Sequence, residues 1–399
     1  MINRLLTHIS VCRLPFAVSR SAFYVLLFSF CLLLYNCTGI SLSQKINVSD
    51  GDWLEAGGAA NQQNISYFNL QPPLDLKWSF DIDAGVGFSA IAVSDAVVLV
   101  NSLAGDLIAF DISGGGKLGK LNYLGRDAGT TPLINGNNVI FSFAGDRDYS
   151  LISYDLENGK NNWRIDLGFL QTSPIMHNGF VYAGSLDGIF FKVDAKTDSI
   201  MWKYDAKAQI HSTCAIDSDY AVFGADNGGI YCVNLTDGSL KWKTMAGGPV
   251  VATPLIFDNK VFVGSYDSCY YCLNLSDGVL VWKKNIHTKI LGGSSLFNAQ
   301  NVIFGGVDGN LNSLKASDGS SSWVVHTKGV IGSSPLCSGP NIYFTSYDFN
   351  IYCIEGSSGS QLWNYELEGK SRTSPVIWRD YLVVAADKVV YCFIKKPQG

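Results

Sequence analysis

Tryptophan recurs along the chain on a beat of about 40 residues, and that period restricts the fold more than any single motif. Trp163, Trp202, Trp242, Trp282, Trp323 and Trp363 lie 39, 40, 40, 41 and 40 residues apart. Trp78 precedes the first of them by 85, room for two units with one tryptophan missing near Gly119. A second marker keeps the same beat. Thr131-Pro132, Ser173-Pro174, Thr213-Cys214, Thr253-Pro254, Ser294-Ser295, Ser334-Pro335 and Ser374-Pro375 each open a strand, and Ser89-Ala90 supplies the eighth opening.

The pattern inside one unit is constant. An apolar strand such as Lys260–Gly264 runs into the turn Ser265-Tyr266-Asp267-Ser268. A second strand, 270–275, leads to Ser276-Asp277-Gly278, and a third ends at Trp282. Asp, Asn and Gly fill the turns because hairpins need residues that tolerate positive φ. With the opening strand this makes four antiparallel strands, the length of one propeller blade. The last unit stops after its third strand, 388–394, and segment 74–82 with Trp78 supplies the missing outer one. The expected fold is therefore all-β, an eight-bladed propeller over 74–397, closed by an N-terminal strand in its last blade.

Composition agrees with a chain that buries much of itself: 47% of residues are hydrophobic and 16% charged. The net charge is −5 and no Lys/Arg-rich run occurs, which excludes an electrostatic nucleic-acid binder. The first 36 residues differ from the rest. Arg4, Arg13 and Arg20 precede an apolar run at 22–35, the layout of a secretory signal peptide. Leu34-Tyr35-Asn36-Cys37 then resembles a bacterial lipoprotein signal, with Cys37 as the lipidated residue and Tyr35 and Asn36 in place of the usual small residues. Residues 37–73, polar and rich in Asn and Gln, read as a tether from membrane to propeller. Cys232, Cys272, Cys353 and Cys392 each follow a tyrosine at one repeat position. Equivalent positions in different blades are too far apart to bridge, so these read as small buried hydrophobes.

The unit best preserved at 225–242, with Asp226-Asn227-Gly228, Tyr231-Cys232, Asp237-Gly238 and Trp242, resembles the pyrroloquinoline-quinone-like (quinoprotein-like) propeller repeat. Within that superfamily, the lipoprotein-like signal and a lone eight-bladed propeller make the chain similar to the lipoprotein subunit of the outer-membrane β-barrel assembly machinery. The resemblance implies a non-catalytic, lipid-anchored outer-membrane scaffold facing the periplasm, with a barrel assembly protein as partner and no cofactor. Two other classes compete. A quinone-dependent dehydrogenase would carry its cofactor and calcium at the propeller axis. Many such enzymes have adjacent cysteines over the quinone, and this chain has neither those nor a Cys-x-x-Cys-His haem motif. A binding protein for sugar or another envelope ligand would need an aromatic and polar cluster on one propeller face.

No nucleophile elbow, phosphate loop or His-x-x-x-His metal spacing is present, so no catalytic or metal residue is assigned. Asp187, Asp226, Asp267, Asp308, Asp348 and Asp387 fall one per blade and read as turn residues that bond their own backbone. The candidate small-molecule site is the channel mouth. The residues before each inner strand should ring it: Phe88, Gly129, Gln171, His211, Val251, Gly292, Gly332 and Arg372. Of these Gln171, His211 and Arg372 carry chemistry, with His211 and Arg372 four blades apart.

Overall fold

A computed structural model describes residues 39–87, 91–123, 129–144 and 149–396. The signal at 1–36 and Cys37 lie outside the described residues. The described strands form eight four-stranded antiparallel sheets, one for each expected blade. Seven are continuous in the chain, at 91–122, 133–165, 175–205, 215–245, 255–285, 295–326 and 336–366. These are blades 1 to 7. The eighth joins both ends of the propeller: Leu74–Asp81 pairs antiparallel with Val389–Lys395, from Leu74 opposite Lys395 to Asp81 opposite Val389. Closing the ring through one shared sheet leaves no blade with an incomplete set of strands.

The repeat residues are the joints between blades. The indole N–H of Trp78, Trp163, Trp202, Trp242, Trp282 and Trp323 donates to a carbonyl of the following blade, at Ile112, Ala195, Leu235, Leu275, Ala316 and Gly356, over 2.7–3.1 Å. In five of these junctions the turn glycine of that following blade lies beneath the ring, and in blade 3 Asp198, at φ +55°, takes its place. Gly278 has φ +69°, and a Cβ there would come within 2.5 Å of the Trp242 indole. At Gly278, turn geometry and the close approach of the indole both favour glycine. Across the strand pair, Cys232 faces Trp242, Cys272 faces Trp282, Cys353 faces Trp363 and Cys392 faces Trp78. A small side chain opposite each indole leaves it room to lean on the next blade. All four thiols are buried and unbridged, and burial pushes those of Cys232, Cys272 and Cys353 up to about 12.

The Ser/Thr markers make a second set of joints nearer the axis. Thr131 N–H donates to Ser173 Oγ at 3.0 Å, Ser173 N–H to Thr213 Oγ1 at 3.1 Å, and Ser334 N–H to Ser374 Oγ at 3.1 Å. Each hydroxyl accepts from an inner-edge N–H of the preceding blade.

Segment 39–73 departs from the tether reading. It packs on the propeller as a strap, with Ile40, Ile46, Trp53, Ala56 and Leu70 buried. Its acceptors visit the inner strands in blade order. Val93 N–H donates to Trp53 O, Ile134 to Leu54 O, Met176 to Glu55 Oε2, Ile216 to Ala60 O, Ile256 to Asn61 O, Leu296 to Gln63 O and Cys337 to Asn64 O, all at 2.7–3.0 Å. In the eighth blade the Trp378 indole N–H donates to buried Asp52 at 2.6 Å. The strap thus serves as a common partner for one set of inner-edge groups. Three of its amides bond to backbone: Gln62 Nε2 donates to Ala56 O, Gln63 Nε2 to Ile256 O and Asn64 Nδ2 to Ser294 O.

The same strap fills the place of the missing tryptophan. Gly119 stands at that position, opposite Ala109, and a Cβ on it would meet Gly39 O at 2.8 Å and Ile40 Cα at 2.9 Å. Leu42 N–H donates to Leu156 O at 2.7 Å, the carbonyl corresponding to those that the indoles engage in other blades. Ile40 is locked there by Tyr154, whose hydroxyl donates to Ile40 O at 2.8 Å and accepts from Ile40 N–H at 3.2 Å.

Candidate functional site

The strap binds the inner strands at their middle residues. The residues that precede those strands by several positions, such as His211 before Ala215–Asp217, open at the opposite end of the extended run. A cavity of about 390 Å³ lies there, lined at the expected mouth positions by Gly129, Gln171, His211, Val251, Gly292 and Gly332. That size falls within the range of small-molecule sites. Phe88 lies outside the described residues. Arg372 lines a separate, smaller cavity of about 220 Å³ that shares Gln171 and Gly129 with the larger one, and its guanidinium stands 5.9 Å from the Tyr347 ring centre.

The larger cavity has two unlike walls. Blades 6 and 7 contribute Gly292, Gly293 and Gly332 beside Leu291, Ser333 and Ser334, so that wall is opened by three glycines. Blades 3 to 5 contribute a connected polar group. His211 Nδ1 lies 3.0 Å from Gln171 Oε1, and its Nε2 lies 3.4 Å from Asp226 Oδ2. The other Asp226 oxygen, Oδ1, is buried and has no hydrogen-bond partner among the described residues. Tyr266 lines the same side, and burial pushes its hydroxyl above the usual phenol range. Thr213, Thr253 and Ser334 place the inter-blade marker residues along the cavity's depth.

Asp226 corrects one reading of the sequence. It is not the turn residue of its blade: Asn227 takes that task, accepting from Gly229 N–H through Oδ1 at 2.9 Å. Asp267, Asp308 and Asp348 do hold their turns, accepting from the N–H two residues on at 3.0–3.2 Å. Asp226 instead stands where the next blade has Tyr266, one residue earlier and on the cavity. The signal was in the spacing: Asp187 to Asp226 is 39 residues and Asp226 to Asp267 is 41, so Asn227 is the residue that keeps the 40-residue beat to Asp267.

Residues 75–204, 186–328 and 307–399 match the family described as outer membrane protein assembly factor BamB. The strap at 39–73 lies outside that match. Among solved structures, the chain is similar to BamB from Moraxella catarrhalis, at 16% identity and a TM-score of 0.65, covering 81% of this chain and all 100% of that one. It is similar to the quinohemoprotein alcohol dehydrogenase of Comamonas testosteroni, at 13% identity and a TM-score of 0.75, covering 87% of this chain and 81% of that one. The computationally designed Ika8 protein aligns at 16% identity and a TM-score of 0.68, over 79% of this chain and 100% of its own. Likeness at these identities shows the fold alone, which hosts unrelated functions. No curated protein matches the chain.

Proposed function

The chain belongs to the family described as outer membrane protein assembly factor BamB, and from that premise we propose that it is a non-catalytic envelope scaffold that acts through protein–protein contacts in outer-membrane barrel assembly. The observation that carries this reading is the extent of the family match, which takes in every blade. The outer strands support it. Ile200, Met201, Leu240, Leu280 and Val281 are exposed on the outermost strands of three successive blades, 3 to 5. An outermost strand also carries a free row of N–H and C=O groups, a surface suited to contact with another protein. In this reading the N-terminal segment directs export and Cys37 carries the lipid that holds the propeller at the outer membrane.

Crosslinking of the full chain in its native cell, followed by mass spectrometry, tests the role. Recovery of an outer-membrane barrel assembly protein is the expected result; recovery of no protein partner overturns it. Cys37→Ala should release the protein from the membrane fraction, and continued tight association would remove the lipid anchor from the proposal.

A further inference from the structure

The cavity at the open end of the inner strands is built unlike the rest of the ring. An eightfold repeat would place equivalent residues around its mouth, yet blades 6 and 7 carry glycine where blades 3 and 4 carry Gln171 and His211. Room is made on one side, and hydrogen-bonding groups are gathered on the other. The gathered groups are only partly used by one another. Gln171 Oε1 and Asp226 Oδ2 both face the His211 ring, which orients all three side chains. Asp226 Oδ1 is turned into the protein, so Oδ2, 3.4 Å from His211 Nε2, is the carboxylate oxygen that a molecule in the cavity can reach.

We propose that this cavity binds a small neutral saccharide, with Asp226 Oδ2 accepting from one sugar hydroxyl, the Gln171 amide N–H donating to another, and Tyr266 offering an aromatic surface beside them. A hydroxyl both donates and accepts, so neighbouring hydroxyls on one ring can serve an acceptor and a donor a few ångströms apart. The marker hydroxyls of Thr213 and Thr253 add further partners of the same kind deeper in the cavity. An anionic ligand is disfavoured, because its charge would stand against Asp226 while Arg372 lies in the neighbouring cavity. The same argument disfavours a polycarboxylated quinone. The inference is independent of the scaffold role, since it concerns the axis and not the outer strands.

The test uses the purified full-length protein, with isothermal titration calorimetry and saturation-transfer NMR. The probes are glucose, N-acetylglucosamine, maltose and chitobiose, and pyrroloquinoline quinone with calcium as the competing class. At least one sugar should bind with one-to-one stoichiometry. Asp226→Ala should weaken it about tenfold, the order expected for one lost hydrogen bond to a charged acceptor. Val251→Phe fills the cavity from the rim without altering the polar wall, and it should abolish binding at an unchanged melting temperature. Failure of all four sugars at millimolar concentration overturns the proposal. So does an affinity unaltered by both substitutions, or stoichiometric binding of the quinone in place of a sugar.

Discussion

The junction between blades 4 and 5 and the junction between blades 1 and 2 are closed by the same kind of bond from different sources. In the first, the Trp242 indole donates to Leu275 O at 2.7 Å while its ring covers Gly278. In the second no indole is present. Leu42 N–H donates to Leu156 O at 2.7 Å, and Ile40 occupies the space over Gly119. The joint therefore needs an apolar group and one donor aimed at a particular carbonyl, not tryptophan as such. A side chain delivers both within the repeat; a piece of main chain delivers both from outside it. The eighth blade is the larger instance, where a whole N-terminal strand stands in for the one its repeat lacks.

If the borrowed strand is integral to the ring, removing its partner should have the largest effect. Deletion of 389–399 takes away the strand between Leu74–Asp81 and Tyr381–Ala386 and much of a buried cluster that includes Val390, Tyr391 and Phe393. The truncated chain should lose cooperative unfolding altogether in a urea titration followed by tryptophan fluorescence; a folded truncate would separate closure from stability. Single joints should cost less. Trp242→Ala leaves a cavity and an unpaired Leu275 carbonyl, with an expected loss of about 3–5 kcal/mol. Ile40→Ala removes the apolar part of the substitute joint but keeps its backbone donor at Leu42, and should cost about 2–3 kcal/mol. An Ile40→Ala chain as stable as the parent would mean that the strap covers Gly119 without bearing on the junction.

What could be read from the sequence follows the same division. Blade number and closure were legible because Trp, Asp-Gly and Ser/Thr recur in register, so each blade corroborates the others, whereas the bonding of the Ser/Thr hydroxyls from blade to blade emerged only from the structure. The strap has no period, and its Asn and Gln suggested solvent exposure. Those amides are instead what a segment needs when it lies across strand edges and must meet backbone groups: Gln63 Nε2 reaches Ile256 O, and Asn64 Nδ2 reaches Ser294 O. Of the site, Gln171 and His211 were legible from their place before the inner strands, and they prove to be hydrogen-bonded to one another. Asp226 was hidden by a one-residue shift within a family of look-alike turns, because Asn227 can hold such a turn as well as aspartate can. Arg372, expected on the same rim, lines instead the smaller neighbouring cavity that shares Gly129 and Gln171 with the larger one.

The strap offers a finer version of the comparison within itself. Val93 and Ile134 receive peptide carbonyls, whereas the equivalent N–H of Met176 receives the carboxyl of Glu55 at 2.8 Å. Burial, only partly offset by that hydrogen bond, pushes this carboxyl well above its ordinary range, to about 8. The folded chain then keeps a proton that the unfolded chain has already released at ordinary carboxyl pH. Between those two values the folded state holds more protons, so stability should fall as pH rises toward 8 and level off beyond it. One such group contributes a slope of at most about 1.4 kcal/mol per pH unit. Glu55→Gln keeps an acceptor for Met176 N–H and carries no titrating proton, so its urea-derived stability should be correspondingly flatter from pH 5 to 8 than the parent's. A parent and variant with the same slope would mean that Glu55 serves Met176 as the neighbouring carbonyls serve Val93 and Ile134, with no proton linked to the docking of the strap.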